Sequence, residues 1–165
     1  VRMENAKRTI NKKTKNVSIV ASNKKAFPGQ VLRHEFVEKH KDSELDVFGS
    51  ITGTRLGSDL FDKIEGYRDY RFTIVIENCQ HDNYFTEKIT DAFATGTIPV
   101  YWGTSNIGDY FNTDGIIELT DEFDINILTP ELYEEKFDAV QDNFERVNSL
   151  KMADDELYEI IQTYR

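Results

Sequence analysis

The sequence predicts an α/β domain: a Rossmann-like three-layer sandwich with a mainly parallel sheet of about five or six strands. Two observations carry this prediction. First, Val17–Ala21 and Phe72–Ile76 are short apolar runs rich in β-branched residues, typical of strands covered on both faces. Second, segments with a helical apolar period alternate with such runs along the chain. Strands that alternate with helices form parallel sheets, because each helix returns the chain to the same edge.

A basic segment, residues 1–16, precedes the first predicted strand. Six cationic side chains against Glu4 alone give residues 1–15 a net charge of +5. Because the whole chain has a net charge of −10, the remaining residues have a net charge of −15. No clean apolar period runs through this segment. We interpret residues 1–16 as a basic linker or arm and residues 17–165 as the domain. Contact of the arm with an anionic surface is the alternative.

The domain opens with a strand–helix–strand unit. Strand Val17–Ala21 is followed by Pro28, which is tolerated in a first turn and so opens a helix over Gly29–His40. Leu45–Phe48 is the second strand. A loop with three glycines and a short helix, Ser58–Gly66, come next, and the loop lacks the Gly-Lys-Ser/Thr ending of a phosphate-cradling P-loop.

A second unit occupies the middle of the chain. Its strand, Phe72–Ile76, leads into the polar loop Glu77–Asn83. Asp82 or Asn83 is expected to cap the helix that follows, and Gly96 to end it. The crossover to the next strand should be right-handed. The apolar stripe of this helix consists of Phe85, Ile89, Ala92 and Phe93.

The remaining segments continue the alternation. Thr97–Trp102 is a strand in which Pro99 predicts either that pairing starts after it or that the strand is irregular. Gly115–Leu119 is the last strand. Thr129 as the cap and Pro130 in the first turn predict a helix over Thr129–Asn148. Asp154–Tyr164 is predicted as a final helix.

Composition excludes several classes of protein. A chain of 165 residues suits one domain with a sizeable core. No stretch approaches the roughly 18 apolar residues of a membrane span, and no signal peptide is visible. The net charge of −10 argues against a nucleic-acid partner.

Cysteine and histidine usage predicts no disulfide, metal or cofactor. Cys79 is the only cysteine, which excludes an internal disulfide and suits a reducing compartment. His34, His40 and His81 are dispersed and show no ligand spacing. The chain contains no Asp-x-Asp triplet either.

The second unit also predicts a ligand site. In open α/β sheets ligands sit beyond the carboxyl ends of the strands, so a crevice is expected at the Asn78–Tyr84 loop. A helix that starts there offers free N–H groups to an anion. Lys88 in the first turn opposes the helix dipole, and a bound phosphate would reverse that cost. The alternative is a solvated helix face on which Glu87 and Lys88 are ordinary surface charges.

The amino-acid sequence of Tyr70–Gly103 resembles that of a known family. The shared motifs are IEN, then Tyr84 six residues on, then FTEK and, after an apolar helix, TIPVYWG. They resemble the α1,3-fucosyltransferases of glycosyltransferase family 10, bacterial members in particular, densely over Tyr70–Phe111 and more weakly back to Val17. The resemblance implies an inverting, metal-independent enzyme that uses GDP-fucose, with the two-domain GT-B architecture. This chain would be its C-terminal, donor-binding half.

The resemblance assigns charge neutralisation to two cations. At the position that matches Arg33, an arginine of these enzymes contacts the donor diphosphate, and a guanidinium donates to two oxygens at once. Lys88 matches the lysine of the Tyr-x-Thr-Glu-Lys motif and would neutralise charge on the departing GDP. The alternative for Arg33 is a surface arginine paired with Glu35 or Glu38.

Three further residues are predicted donor contacts. Glu87 would accept hydrogen bonds from hydroxyls or stabilise positive charge on the sugar, and the sequence does not choose between these roles. Asn78 and Tyr84 match family positions around the donor, with a turn asparagine and a core tyrosine as the alternatives. Glu77 lies in the same motif, with a buried structural acid as the alternative.

The sequence therefore predicts the donor-binding domain of a fucosyltransferase-like enzyme. One alternative is a transferase of the same fold that uses another nucleotide sugar. The other is a non-enzymatic nucleotide- or carbohydrate-binding module. Animal members of the family carry paired cysteines, so we expect a bacterial or viral type of protein, cytoplasmic or membrane-peripheral.

In the resembling enzymes the general base is a carboxylate of the N-terminal domain. The stretch before Val17 is too short for a domain of about 50 residues or more. We therefore expect a fragment or one half of a split enzyme that reaches the acceptor glycan through an absent N-terminal domain. Alone it should transfer sugar poorly, and its exposed inter-domain face makes self-association an expectation.

Overall fold

The computed structural model describes residues 8–52 and 62–149, which form a parallel sheet of five strands with helices on both faces. The strands are β1 (Lys15–Val20), β2 (Leu45–Phe48), β3 (Tyr70–Ile76), β4 (Ile98–Trp102) and β5 (Ile117–Glu118). The helices are α1 (Pro28–Lys39), α2 (Glu87–Phe93), α3 (Pro130–Glu135) and α4 (Phe137–Ser149). The predicted helix Asp154–Tyr164 and most of the glycine loop lie outside the described residues.

The strand order confirms the predicted fold class. The order is β2-β1-β3-β4-β5, with all pairs parallel. β2 lies on one side of β1 and the later strands on the other, so the order reverses between β1 and β3. In sheets of this flavodoxin-like order, ligands bind at the carboxyl ends of those two strands.

β3 is buried on both faces, as its apolar run predicts. Phe72, Ile74 and Ile76 belong to the core on the α1 and α3 side. Val75 packs on the opposite side in the core that contains Phe93 of α2. Because both faces are covered, the strand has no polar alternation.

Both predictions for Pro99, that pairing starts after it or that the strand is locally irregular, are wrong. β4 pairs with β3 from Ile98 onward, and Pro99 lies opposite Thr73. The backbone N–H of Leu119 donates to the carbonyl oxygen of Tyr101, so alternate β4 residues, Pro99 among them, turn their backbone groups toward β5. β5 begins only opposite Val100, so no strand lies beside Pro99 on that side. The N–H that proline lacks therefore costs the sheet no hydrogen bond.

The helix predicted over Thr129–Asn148 is two helices. The Thr129 hydroxyl caps α3, accepting from the N–H of Leu132 at 3.2 Å, as predicted. The chain then bends at Lys136, whose Nζ donates to the carbonyl oxygen of Asp114 at 2.9 Å. The bend lets α3 cover the α1 side of the core while Val147 of α4 reaches the α2 side.

The predicted boundary between arm and domain also differs from the structure. β1 begins at Lys15, and Ile10 already packs on the core. Lys13 is buried, and its Nζ donates to the carbonyl oxygens of Arg68 and Thr95 and to Oγ1 of Thr97 at 2.7–3.0 Å. The last residues of the basic segment are therefore part of the domain. Within residues 8–52 and 62–149, no helix has the length and apolarity needed to cross a membrane.

Candidate functional site

The first turn of α1 packs directly on the carboxyl end of β3. The N–H of Gly29 donates to the carbonyl oxygen of Asn78 at 3.0 Å. A Cβ at Gly29 would lie 1.7 Å from the carbonyl oxygen of Glu77, so only glycine permits this approach. The contact brings Arg33, one turn further along α1, to the end of β3.

Arg33 is buried at this strand end. Its Nε donates to the carbonyl oxygen of Ile76 at 2.9 Å, and its Nη2 donates to the same oxygen and to Oδ1 of Asn78, the latter at 3.1 Å. Burial lowers the pKa of Arg33 and nearby Glu77 opposes the shift, but a guanidinium stays charged. The alternative, a surface arginine paired with an acid of its own helix, is wrong because Arg33 is only 5% exposed.

Glu77, the residue after β3, is a fully buried carboxylate. Its Oε1 accepts from the backbone N–H of Thr86 at 2.9 Å, and both oxygens lie within 3.1 Å of the Thr86 hydroxyl. Its Oε2 accepts from Nζ of Lys88 at 3.0 Å. The structural role that the sequence allowed for Glu77 is thus confirmed, and this acid organises the start of α2.

α2 is capped by Thr86, so the prediction of Asp82 or Asn83 as the cap is wrong. The Thr86 hydroxyl accepts from the N–H of Lys88. Asn83 lies three residues before the cap with a positive φ of 63°. Glu77 and Thr86 already accept from the backbone N–H groups at the start of α2. At this helix start, the positive charge available to a ligand therefore comes from the Lys88 side chain.

Lys88 lies between the protein interior and solvent. Its ammonium donates to Oε2 of Glu77 at 3.0 Å and to Oγ1 of Thr86 at 2.7 Å, while 21% of the side chain remains exposed. The predicted cost of a first-turn lysine is therefore offset inside the protein. A bound phosphate is not required to explain Lys88.

Glu87, the neighbour of Lys88, belongs to a separate ion-pair network. Its Oε1 is 3.9 Å from Nζ of Lys63, which is 2.5 Å from Oδ2 of the buried Asp91. Burial alone would raise the pKa of Glu87, but the positive charges of Lys88 and Lys63 hold it below its usual value. Glu87 is an anion at neutral pH.

Asn78 and Tyr84 flank the cations at the same strand end. Both are half-buried, and Asn78 accepts from Arg33. Burial raises the pKa of Tyr84, and a hydrogen bond with Asn78 lowers it in part. Arg33, Asn78 and Tyr84 therefore form one group and Lys88 lies beside it, because both cations are anchored on three consecutive residues, Ile76–Asn78.

Sequence reasoning missed three residues that position the candidate side chains. Gly29 lets α1 bring Arg33 to the strand end, Thr86 accepts from Lys88, and Lys63 pairs with Glu87. Thr86 stands directly before the acidic first turn of α2, a cap signal that was present in the sequence. Nothing local marks Gly29 or Lys63, because their roles arise from contacts with distant segments.

The described residues contain no group of three or more His, Cys, Asp or Glu side chains arranged to hold a metal ion. His40 instead stacks on Phe36 with ring centroids 4.1 Å apart, and its Nδ1 lies 2.8 Å from the carbonyl oxygen of the same residue.

The fold is that of the α/β domains whose ligands lie beyond the carboxyl ends of the strands, and in this chain two cations are anchored at that edge of the sheet. Comparison with known proteins specifies the family. The profile for the C-terminal part of glycosyltransferase family 10 (fucosyltransferase) matches residues 10–147. The chain belongs to this family.

Relatives and solved structures agree with the match. The alpha-(1,3)-fucosyltransferase FucT of Helicobacter pylori is 34% identical over 104 residues, which cover 63% of this chain and 21% of that protein. A crystal structure of alpha1,3-fucosyltransferase with GDP is similar with a TM-score of 0.54 and 28% identity over 79% of this chain and 38% of that one. For alpha1,3-fucosyltransferase with GDP-fucose, the TM-score is 0.52 with 26% identity over 85% and 40%. The chain thus spans well under half of these proteins.

Proposed function

We propose that this chain is the donor-binding part of an inverting fucosyltransferase that passes fucose from GDP-fucose to a hydroxyl of an acceptor glycan. One observation carries the proposal: Arg33 and Lys88 are both anchored at Ile76–Asn78, at the end of the strand that borders the switch point. Solved relatives with GDP and with GDP-fucose support the choice of ligand.

The two cations would stabilise the leaving group. As the bond from the sugar C1 to the diphosphate oxygen breaks, its electron pair stays on GDP, and a bond forms from the acceptor oxygen to C1 on the opposite face. Negative charge therefore grows on the diphosphate in the transition state, where fixed cations are most effective. Arg33 and Lys88 would supply this charge without a metal or other cofactor.

Glu87, Asn78 and Tyr84 would contact other parts of the donor. Glu87 is anionic and 35% exposed, so it can accept from ribose or sugar hydroxyls or face positive charge on the sugar ring. Asn78 and Tyr84 would bind the diphosphate or base. We keep both roles of Glu87 open to experiment.

The acceptor proton must be taken by a base that this site does not supply. Glu77 is fully buried, and its carboxylate is already hydrogen-bonded to Thr86 and Lys88, so an acceptor hydroxyl cannot reach it. The lowered pKa of Glu87 makes it a weak base. We propose that the base and most of the acceptor contacts belong to an acceptor-binding partner half, so that this chain alone binds donor and shows little or no transfer.

Calorimetric titration with GDP, UDP and ADP tests the proposal. We expect GDP to bind most tightly and Lys88→Ala to weaken it by about tenfold or more, since a charged hydrogen bond is lost. Lys12→Ala, an exposed lysine before β1 at the other end of the sheet, should leave GDP affinity unchanged. Preference for another base would indicate a different nucleotide sugar. No nucleotide binding at all would indicate a non-enzymatic module.

A turnover assay with GDP-fucose and N-acetyllactosamine-type acceptors tests the division of labour. GDP binding without turnover is the expected result. Robust transfer by this chain alone would place the base within its 165 residues and refute the assignment of the base to a partner half.

A further inference from the structure

Two cavities meet at Trp102, where β4 ends. The larger, of about 430 Å³, lies over the ends of β4 and β5. The smaller, of about 200 Å³, lies between α1 and the segment after β5. Both are lined by Trp102 and Leu119, and we call the two adjoining cavities together the Trp102 groove. Arg33 and Lys88 line neither cavity.

The groove adjoins the proposed donor site through Gly103. Gly103 lines the larger cavity, and a Cβ there would lie 3.0 Å from Cγ of Glu77, the acid that holds Lys88. A ligand in the groove would therefore lie beside the diphosphate-binding cations without contacting them.

The polar wall of the groove has unused hydrogen-bonding capacity. The side chains of Glu35, Glu118, Asp121 and Gln80 are exposed, and none of these side chains makes a hydrogen bond or ion pair with another described residue. Lys39 is the single cation among the described lining residues. The wall therefore offers mainly hydrogen-bond acceptors and a net negative charge.

This chemistry selects the class of ligand. The excess of carboxylates disfavours a phosphate, and no described group of acids is arranged to hold a metal ion. A neutral polyhydroxyl ring fits, because its hydroxyls donate to carboxylates while its apolar C–H face lies against an aromatic ring. Trp102 is half-buried and provides that ring.

We propose that the Trp102 groove binds a neutral sugar ring, with Trp102 against its apolar face and Glu35, Glu118 and Asp121 accepting from its hydroxyls. This inference rests on the proposed function, to which it adds that the donor-binding half itself holds part of the acceptor glycan. The acceptor hydroxyl would then lie next to the sugar carbon that Lys88 and Arg33 activate.

Trp102 is the only tryptophan in the chain, so its fluorescence reports on the groove directly. The chain is titrated with galactose, N-acetylglucosamine and lactose, with glycerol as a non-ring polyol. We expect a saturable change with at least one sugar and none with glycerol. The variant Glu118→Gln/Asp121→Asn should weaken sugar binding by about fivefold or more, since charged hydrogen bonds become neutral ones.

Matched controls separate this inference from the donor proposal. Glu122→Gln changes an exposed neighbour that lines neither cavity and should bind sugar normally. GDP affinity, measured by calorimetry, should be unchanged in the groove variant. Because that variant alters only exposed side chains, its thermal midpoint should match that of the unmodified chain.

Three results would overturn the inference while leaving the donor proposal standing: GDP binds but no sugar changes the fluorescence, the groove variant binds sugar normally, or GDP competes with the sugar for the groove. Sugar binding without GDP binding would instead support the groove and refute the proposed function. Absence of both would refute both.

Discussion

At the scale of single residues, we expect the candidate site to depend on the ion pair between the buried Glu77 and the partly exposed Lys88. Replacing Glu77 with Gln keeps an acceptor for Thr86 but leaves the ammonium of Lys88 without its counter-charge. We expect the free energy of unfolding to fall by ~2 kcal/mol, below the full cost of breaking a buried pair because Lys88 is partly exposed. Urea unfolding measures the loss.

The matched control for this change is Glu87→Gln, which removes a half-exposed carboxylate 3.9 Å from its nearest cation and should cost less than ~1 kcal/mol. A double-mutant cycle with Lys88→Met isolates the pair. If the effects of Glu77→Gln and Lys88→Met simply add, the two side chains are not coupled and our account of the site fails.

A second residue-scale prediction concerns Lys13. Burial lowers its pKa to about 7, below the ordinary value of 10.5. Between these pH values the unfolded chain binds a proton that the folded chain does not, so stability rises with pH across this window. We expect a gain on the order of 3 kcal/mol from pH 7 to about pH 10, measured by urea unfolding.

In Lys13→Met this rise should disappear, because the titrating ammonium is gone. Lys12→Met changes the exposed neighbour and should keep the rise. Equal slopes for both variants would show that another group titrates.

At the scale of elements, the loop between β3 and α2 is held to the loop after β4 by a pair of amides. The N–H of Asn83 donates to Oδ1 of Asn106 at 2.9 Å, and Nδ2 of Asn106 donates to Oδ1 of Asn83 at 2.7 Å. Asn83 has a positive φ and directly precedes Tyr84. We therefore expect the predicted donor contacts to depend on Asn106, a residue outside their own loop.

Asn106→Ala should lower the free energy of unfolding by ~1 kcal/mol and weaken GDP binding severalfold, since the loop loses its anchor. Unfolding and calorimetry measure the two effects. Asn126→Ala is the control, because the Asn126 side chain bonds only Asp124 within its own turn. An Asn106→Ala protein that binds GDP as tightly as the Asn126→Ala protein would exclude the tether from donor binding.

At the scale of the whole molecule, the carboxyl-end face carries exposed apolar residues. Phe27 and Val31, at the start of α1, are 52% and 38% exposed. Exposed apolar surface beside the proposed donor site is a candidate interface. We expect the chain alone to self-associate through this face, with a sedimentation coefficient that rises with protein concentration.

Phe27→Ser should abolish the association, and serine is a favourable residue at this helix cap. Ile127→Ser removes a comparably exposed apolar residue elsewhere and should associate like the unmodified chain. A monomer at every concentration, or equal association of both variants, would show that the face is not an interface.

Local patterns predicted the elements of this fold well. The buried run of β3, the proline at the start of α1 and the Thr129 cap each depend on residues within one or two turns of the chain. Errors arose where a distant segment decides the outcome. The chain bends at Lys136, whose side chain bonds the distant carbonyl oxygen of Asp114. Regular pairing at Pro99 depends on where β5 starts.

The sequence by itself determined that this chain is an α/β domain of the fucosyltransferase family and which side chains are candidates for its site. The tertiary structure alone decided how those side chains are held. Arg33 meets Asn78 only because α1 packs on β3 across 45 residues, and Lys88 is held by Glu77 only because α2 begins against the end of the same strand. Periodicity reports which face of an element is buried, whereas a buried polar contact depends on which elements become neighbours.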